Sequence, residues 1–592
     1  MVARRFLMFV LALMLGTAGF ADDVAPGKPA EDIASSAPTL ESGDYELRLI
    51  ISEMSGDKED TRLPAKVQVR GTELAIETEG GAGNHISIKG NIQAGEVRAS
   101  FSGEEDGQQM TFRFLGKVTR PNSANGTLAC EINGKPAFSG KWLLSLSEPP
   151  KEYPEYTFTP DESLVVWLEG AFRREGGATE QFPPADKLRR VPADYKTIQE
   201  AIDAAAEGDT VLVSDGTYSG SGNKNLDFKG KAITVRSENG PGKCIIECGG
   251  KARAFHFHSG EAKESIVSGF TIRNGQGADL GREWAGFEPT VGGAILCDGS
   301  GPTIENNLLF RNSAALGGAI ACFQADGILV RRNRIAQNKA SDVHGGAIFL
   351  EETKSALIQD NFIERNRAKG AGGGMAIFNG SSGLVERNRI LENRAESAGG
   401  LDVSSSTPVI RNNLIARNES TGTRNGPYLF SGGGAMTLWY APVQVVNNTI
   451  VENRAWIRGG AVAAASTRGA RFINNVFWRN YSPKGNDIYL AYYQSSIKHA
   501  AKISVEHCLW QGGDEGGVVE DGCELAASAN LEENPILANP EGGDYRLTDA
   551  SPCVDRGQAD AAPPEDIEGV KRPQGAGIDI GAFEHTFGED RP

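Results

Sequence analysis

The sequence predicts an all-β protein: a right-handed parallel β-helix with an N-terminal helical cap, preceded by a small β-sandwich or barrel domain. Three observations lead to this prediction. A segment with two asparagines five residues apart occurs seven times in the second half of the chain. A Gly-Gly segment with alternating apolar residues occurs between these segments. Short alternating runs fill the region that precedes them.

The first residues of the chain indicate export. Arg4 and Arg5 precede an apolar run, and small residues follow up to Ala21. This pattern is typical of a secretory signal peptide at 1–21, and the apolar run is shorter than the roughly 20 residues that cross a bilayer. We therefore expect a secreted, periplasmic or cell-surface protein whose mature form has no membrane span. Residues 22–42 resemble a flexible leader.

The charge balance excludes one class of partner. The formal net charge is -17 at pH 7, whereas proteins that bind the phosphate backbone of nucleic acids present a basic face. We therefore expect no nucleic-acid partner.

Two segments precede the repeats. Residues 43–146 contain runs such as YELRLIIS and MTFRFLGKV, separated by Gly, Asn and Asp, and this spacing predicts a small all-β domain, either a sandwich or a barrel. Residues 147–190 are rich in proline and are predicted to be a linker. The β-helix with its closing segment is then expected at 191–585, and a tail at 586–592.

The repeat domain begins with a predicted helix. Ile198, Ala201, Ile202 and Ala205 recur at helical spacing, which places them on one face. A strand is expected next, at 211–213. A helix in this position would cover the open end of a stacked core.

The asparagine segments define the repeat. Their first asparagines are Asn307, Asn333, Asn361, Asn388, Asn413, Asn448 and Asn475, and the second follows five residues later each time, from Asn312 to Asn480. Successive first asparagines are 26, 28, 27, 25, 35 and 27 residues apart, and a period of this size marks a solenoid. Asparagine at one corner of stacked turns tolerates a left-handed backbone and can pass hydrogen bonds to the next turn. We therefore expect these residues to be structural.

The Gly-Gly segments predict the inward face. Their fourth and sixth positions are apolar in every unit, beginning with Ile295 and Cys297. The period of two within a strand points these positions inward and the fifth and seventh positions outward. Each unit should hold three short strands, one after Gly-Gly, one ending at the first asparagine and one between the two asparagines. Right-handed coiling follows from the general rule for parallel crossovers.

On these residues the chain resembles the right-handed parallel β-helix repeat proteins with a pectin-lyase-like fold. The segments YKTIQEAIDAAAEGDTVLVSDGTY, GGAI and NNLLFRN are similar to theirs, and the resemblance covers about 190–585. Residues 542–557 and 569–585 resemble the closing segment of exported bacterial members, including choice-of-anchor Q proteins. The family includes polysaccharide lyases, glycosidases and epimerases, so the resemblance implies a fold and not an activity. The Gly-His-Gly and paired-Asp signatures of polygalacturonases are absent, and no catalytic residue is carried over.

The outward positions after Gly-Gly form the candidate functional face. One column is Leu296, Ala321, Phe349, Ala376, Asp402, Thr437 and Ala463, and its neighbour is Asp298, Phe323, Glu351, Phe378, Ser404, Trp439 and Ala465. Exposed rings beside carboxylates suit sugar binding, and two long insertions, at 275–291 and 419–432, would border this face. The candidate substrate-binding residues are Phe323, Phe349, Phe378, Trp439, Arg424 and Tyr428. The alternative, of comparable weight, is that the insertions merely cover Phe323, Phe349 and Phe378.

Four residues on or beside this face are candidate catalytic groups: Asp298, His344, Glu351 and Asp402. Asp298 and Glu351 are expected two turns apart, about 9.6 Å along the axis, near the upper limit for an inverting glycosidase pair. A lyase would instead need a cation or an arginine at the uronate carboxylate, and a base. Glu351, Glu352 and Asp402 could bind Ca2+, and His344, Arg424 or Tyr428 could act as base or acid.

A further column precedes the second asparagines. It consists of Arg311, Gln337, Arg365, Glu392, Arg417, Glu452 and Arg479. Because basic groups alternate with neutral or acidic ones, a solvated salt-bridge face is favoured over a track for acidic polysaccharide.

The cysteines permit disulfides in an exported chain. Cys244 with Cys248, and Cys508 with Cys523, could form local pairs. Cys297 and Cys322 are expected to be stacked thiols in the core, because their Cβ directions are parallel.

Two functions remain open at this point. The first is a secreted protein that acts on extracellular polysaccharide as a lyase or hydrolase. The second, ranked slightly lower, is a non-catalytic surface or matrix protein that binds glycans through the same face. We expect a monomer in either case.

Overall fold

The computed structural model describes the strands between residues 43 and 146, and residues 184–586 with gaps at 280, 282, 287, 423–430, 493–499 and 511–512. The predicted signal peptide, the leader and most of the linker lie outside these residues, as do Arg424 and Tyr428. The described chain falls into two units.

The first unit is a closed barrel of eight antiparallel strands, in which the first strand also pairs with the last. The strands are Gly43–Ser52, Lys58–Arg70, Glu73–Glu79, His85–Gln93, Glu96–Glu105, Gln108–Arg120, Ser123–Ile132 and Lys135–Leu146. Leu74, Ile88, Val97 and Phe114 are buried. The barrel, rather than the sandwich, is therefore the correct alternative for 43–146.

The second unit is a right-handed parallel β-helix with three long parallel sheets. The 13-stranded sheet contains Leu188–Val191, Thr210–Val213, Thr234–Ser237, Ile266–Ser268, Thr303–Glu305, Leu329–Arg331, Ala356–Gln359, Ser382–Glu386, Thr407–Arg411, Gln444–Val446, Arg468–Ile473, Lys502–Glu506 and Glu524–Ser528. The 11-stranded sheet contains Gly216–Tyr218, Cys244–Glu247, Thr271–Arg273, Leu308–Phe310, Arg334–Ala336, Phe362–Glu364, Arg389–Leu391, Leu414–Ala416, Thr449–Val451, Val476–Trp478 and Leu509–Trp510. The 10-stranded sheet contains Phe255–Phe257, Ile295–Asp298, Ile320–Phe323, Ile348–Glu351, Met375–Phe378, Leu401–Ser404, Met436–Trp439, Val462–Ala465, Ile488–Ala491 and Gly517–Val519.

Each central turn has a fourth strand that the sequence did not predict. A six-stranded sheet is built from the two-residue strands Ser313–Ala314, Lys339–Ala340, Arg367–Ala368, Arg394–Ala395, Glu419–Ser420 and Arg454–Ala455. These strands follow the second asparagine directly and are too short to show a period. Two antiparallel pairs complete the strands: Ala278–Asp279 with Thr290–Val291, and Leu537–Asn539 with Asp544–Leu547.

The predicted cap helix is confirmed at Ile198–Ala204. Its start is fixed by a capping box, in which the Thr197 hydroxyl accepts a hydrogen bond from Glu200 N and the Glu200 carboxylate accepts one from Thr197 N. Ile198, Ala201 and Ile202 are fully buried in the solenoid core. The other helical turns among the described residues are the 3-10 segments Ala185–Lys187, Gly513–Gly516 and Ala559–Ala561.

The inward columns after Gly-Gly are confirmed as core. All their members from Ile295 to Val462 and from Cys297 to Ala464 are at most 2% exposed. The glycines themselves allow the turns to stack, because a Cβ on Gly318 would collide with the carbonyl oxygen of Gly346 in the next turn. The preceding glycine, such as Gly317 at φ 63°, takes the left-handed backbone.

Both asparagine columns form buried hydrogen-bond ladders, as predicted. In each step the backbone N–H and Nδ2 of one asparagine donate to Oδ1 of the asparagine in the next turn, as from Asn361 to Asn388 at 3.0 Å each. Each Nδ2 also donates back to a backbone carbonyl of the preceding turn, as from Asn388 to Ile358 at 2.8 Å. The predicted left-handed backbone at these asparagines is wrong: the residue before each one has it, including Arg387 and Glu392.

The first ladder continues beyond the last predicted asparagine. Cys508 Sγ accepts a hydrogen bond from Asn475 N at 3.2 Å, and Cys508 N donates to Asn530 Oδ1 at 2.9 Å. Burial raises the pKa of this thiol to about 12. All described cysteines are free thiols, so the proposed local pairs do not form. Cys297 and Cys322 are stacked in the core as expected.

The alternating charge column is a salt-bridge face, as predicted. Arg365 pairs with Glu392 at 2.7 Å, and Glu452 lies between Arg417 at 2.9 Å and Arg479 at 3.7 Å. These side chains occupy the left-handed positions that precede the second ladder.

The C-terminal segment packs along the side of the solenoid. Three residues of this segment, Tyr545, Ile580 and Phe583, lie against the outward side of the 11-stranded sheet. There they belong to a cluster that includes Val451 and Trp478. Arg572 and Glu584 form an ion pair at 2.7 Å with both side chains at most 1% exposed. Among the described residues, no helix combines the length and hydropathy of a membrane span.

Candidate functional site

The outer surface of the 10-stranded sheet has the register that the sequence predicted. Asp298, Phe323, Glu351 and Phe378 pair directly on successive strands, and Ser404 and Trp439 continue the column. We call this surface the outer face. Because neighbouring strands lie about 4.8 Å apart, these side chains form a continuous row along the solenoid axis.

The first insertion covers the middle of the outer face. Trp284, from the insertion at 275–291, packs edge-on against Phe349 with ring centroids 5.8 Å apart, in a cluster with Leu296, Ala321 and Phe323. Phe349 is 0% and Phe323 4% exposed. The prediction that these two rings are exposed is therefore wrong, and the alternative, that an insertion covers them, is correct. Burying apolar surface against the sheet accounts for this placement.

His344 is part of the same covered layer. It is buried, its Nδ1 accepts a hydrogen bond from Ala371 N at 3.0 Å, and its ring lies 4.8 Å from Phe378. Burial lowers the pKa of His344 to about 4. The expectation of an accessible base here is wrong, because the imidazole is desolvated and Nδ1 is already engaged as an acceptor.

The pair of Asp298 and Glu351 is separated by a buried ring. The two residues lie two turns apart in one column, as predicted, with Phe323 between them. Glu351 is 9% exposed, and both of its oxygens accept hydrogen bonds, one from Trp284 Nε1 and the other from Asn379 Nδ2. This carboxylate therefore anchors the insertion to the sheet.

Asp402 is the carboxyl of this face whose acidity is most altered. It lies in the column of Phe349, is 5% exposed, and accepts a hydrogen bond from Ser404 Oγ at 2.8 Å. Burial raises the pKa of Asp402 from 3.8 to about 7. A large fraction of this carboxyl is therefore protonated near neutral pH, which is a property of general acids.

This pKa shift predicts a pH-dependent stability. The folded state binds the Asp402 proton more tightly than the unfolded state does, so stability is lost as the pH rises from about 4 through about 7. We expect Asp402→Asn to be more stable than the wild type by a few kcal/mol at pH 8, with the difference vanishing at pH 4. Urea unfolding at both pH values measures this, and an equal difference at both would contradict it.

The predicted Ca2+ ligands are not brought together. Glu352 is exposed and accepts a hydrogen bond from Gln324 at 2.8 Å, whereas Glu351 and Asp402 are buried on different columns of the face. Within the described ranges, His, Cys, Asp and Glu side chains do not gather in groups of three or more that could hold a metal ion.

The part of the outer face left accessible lies beyond the insertion. Phe378, Ser404 and Trp439 are half-buried on three successive strands, and the exposed residues Asn379, Ser405 and Tyr440 follow them directly in the chain. We call these six residues the open strip. Sequence reasoning found Phe378 and Trp439, but it missed the bordering positions because it considered only the strand residues.

One family comparison matches this region. Residues 324–477 match the family model described as "Right handed beta helix region". No curated protein and no solved structure matches the chain. The matched residues include the turns that carry the open strip and most of both asparagine ladders. Together with the stacked parallel sheets, this match supports assignment of the solenoid to the right-handed β-helix family.

Proposed function

We propose that the protein binds extracellular polysaccharide along the open strip. The observation that carries this proposal is the row of accessible aromatic and polar residues on consecutive turns. The rings of Trp439 and Tyr440 lie 6.4 Å apart and offer surfaces for the apolar faces of sugar rings. Ser404, Ser405 and Asn379 supply hydroxyl and amide groups for sugar hydroxyls. The predicted signal peptide supports an extracellular ligand.

The geometry supports a linear ligand. The strip repeats once per turn, about every 4.8 Å, so a chain laid along the solenoid axis contacts several turns at once. Contacts repeated on a rigid scaffold add affinity without ordering a loop. The β-helix family match over these turns is compatible with proteins that act on polysaccharides.

Binding should depend on the aromatic residues of the strip. We expect Trp439→Ala and Phe378→Ala each to weaken binding to the preferred polysaccharide by about tenfold or more, because each removes a large apolar contact. Isothermal titration with a panel of neutral and acidic polysaccharides measures this. The matched control is Phe362→Ala, a half-buried ring on the 11-stranded sheet. Equal affinities for the wild type, both strip variants and the control would show that the open strip is not the binding site. The absence of any glycan binding would contradict the proposed function itself.

A second candidate function is cleavage of the bound glycan, and the protonated state of Asp402 favours it. Asp402 accepts a hydrogen bond from Ser404 of the open strip, so this carboxyl, whose pKa burial raises to about 7, adjoins the proposed ligand site. If Asp402 is the general acid, Asp402→Asn should lower turnover by about 100-fold or more. The absorbance of unsaturated uronates reports lyase cleavage, and the release of reducing ends reports hydrolysis; both are measured with and without Ca2+. Retained binding without any product would overturn this candidate and leave the binding function.

A further inference from the structure

Arg253 is a buried cation with incomplete hydrogen bonding. It lies just before Phe255–Phe257, the first strand of the 10-stranded sheet, and is 3% exposed. One guanidinium nitrogen, Nη2, donates to Ala278 O at 2.9 Å, whereas Nε is buried and has no hydrogen-bond partner among the described residues. No described carboxylate forms an ion pair with Arg253 at 4.0 Å or less.

Paired arginines elsewhere in the solenoid show what is missing. Arg331 reaches Glu305, Arg387 reaches Asp360, and the buried Arg572 reaches Glu584. A guanidinium that is removed from water without a counter-ion is costly. Burial lowers the pKa of Arg253 to about 10, and the charge of Asp298 opposes this effect only in part. An anion from outside the described chain would supply the missing charge.

Two histidines lie beside this guanidinium. His256 and His258 alternate with the buried Phe255 and Phe257 and therefore face outward, with ring centroids 4.3 Å apart. His258 Nε2 lies 3.6 Å from Asp227 Oδ2. The pKa of His256 is lowered to about 4 by burial, with smaller contributions from Arg253 and His258. A neutral imidazole presents an N–H donor at pH 7.

We propose that Arg253, His256 and His258 bind an oxyanion of the ligand, a carboxylate or a sulfate group on an anionic glycan. The planar guanidinium matches both groups in geometry, and the imidazoles add donors at its side. Asp227 and Asp298, which border the cluster, accept hydroxyl hydrogen bonds from the same sugar. We call these five residues the head cluster. The assignment of the oxyanion to a glycan rests on the proposed function, whereas the oxyanion site itself does not.

The head cluster and the open strip are separate parts of one face. The head cluster lies on the turn of Phe255–Phe257, four turns before Met375–Phe378, so about 19 Å separates them along the axis. The insertion with Trp284 covers the turns between them. The two sites are therefore separated by the insertion, and a ligand that reaches both must pass over it.

The first test uses small anions on the full-length protein. Sodium glucuronate and inorganic sulfate, each at low millimolar concentration, should raise the melting temperature of the wild type, because an anion that binds only the folded state stabilises it. Glucose should not. In Arg253→Gln both affinities should fall by about tenfold or more, since a charge-assisted hydrogen bond is lost. The matched control is Arg331→Gln, which removes a paired arginine on the 13-stranded sheet. Equal shifts in Arg253→Gln and the wild type would overturn the proposal.

A second variant keeps the test decisive if Arg253→Gln does not fold. His256→Gln keeps a neutral polar side chain of similar size but places its N–H donor at a different position. It should therefore weaken anion binding several-fold. Unchanged binding in a folded His256→Gln, together with a misfolded Arg253→Gln, would also count against the site. Polyuronate and sulfated polysaccharide, each compared with a neutral polysaccharide, then identify the source of the oxyanion. Neutral glycan binding that survives in Arg253→Gln separates failure of the head cluster from failure of the open strip.

Discussion

Replacing Asn388 by alanine is expected to lower the free energy of unfolding by about 3–5 kcal/mol. Asn388 is 0% exposed, and its Oδ1 accepts hydrogen bonds from the backbone N–H and Nδ2 of Asn361. Its Nδ2 donates to Ile358 O at 2.8 Å and to Asn413 Oδ1 at 3.1 Å. The substitution leaves the Asn361 backbone N–H without its acceptor and removes a donor from the Ile358 carbonyl, and a buried unsatisfied group costs about 1–3 kcal/mol; the cavity adds to this cost.

Denaturant unfolding measures this loss, and native-state hydrogen exchange at the Asn361 amide locates it. The control is Asn239→Ala. Asn239 is exposed and its Nδ2 donates to the exposed Asp215, so we expect a change within about 0.5 kcal/mol. A loss below about 1 kcal/mol in Asn388→Ala would show that the ladder is replaceable at this turn.

The second large effect is expected at the buried ion pair of the closing segment. Arg572 donates from Nη1 to Glu584 Oε2 at 2.7 Å and from Nη2 to Gly581 O at 2.9 Å. Arg572→Met leaves the Glu584 carboxylate buried without its counter-ion, which costs about 3–5 kcal/mol. Arg572→Met/Glu584→Gln should recover most of this loss, because it removes the unpaired charge.

The pH dependence of the single variant checks the cause. Burial already raises the pKa of Glu584, and Arg572 opposes that shift. Without Arg572 the pKa rises further, so the folded state holds the proton and the loss of stability is present at high pH and shrinks as the pH falls. Urea unfolding of Arg572→Met at pH 8 and pH 5 should show the larger loss at pH 8. The control is Arg546→Met, whose partner Asp544 is part-exposed; its loss should stay within about 1 kcal/mol. A loss independent of pH would point to packing instead of charge.

The sequence was sufficient wherever one residue type recurs for one physical reason. Asn388 and Asn393 recur because a buried side-chain amide accepts from one turn and donates to the next with the same group. The left-handed backbone was assigned to the wrong position because its residues vary, as Arg387 and Glu392 show. The side chains at these positions are selected by the charges next to them, so no single residue type recurs there.

The placement of the insertion could not be predicted, because its contacts are not periodic. Trp284 donates to Glu351, which lies 67 residues later in the chain, and no spacing rule connects them. The sequence feature that could have indicated this placement was a single tryptophan in an insertion beside an apolar column. Arg253 and His256 were missed for a related reason, since they lie before the first asparagine segment and the first Gly-Gly pair, so no motif marks their turn, although His256 pairs with Leu296 of the outward column. Cys508 could have been found by aligning VEHCLW with FINNVFW.

The direction of the asparagine ladders has a consequence for how such a chain can change its length. Each internal asparagine of the first ladder accepts from the turn before it, and its Nδ2 donates to the asparagine of the next turn and to a backbone carbonyl of the preceding turn, so all internal turns are joined in the same way. Duplicating or excising one whole unit, for example 361–387, leaves each remaining amide with the same partners. The 35-residue spacing between Asn413 and Asn448 keeps the same joint at 2.9 Å. Gene duplication could therefore lengthen this solenoid without new side-chain chemistry. The length of its outer face along the axis then depends on the number of turns.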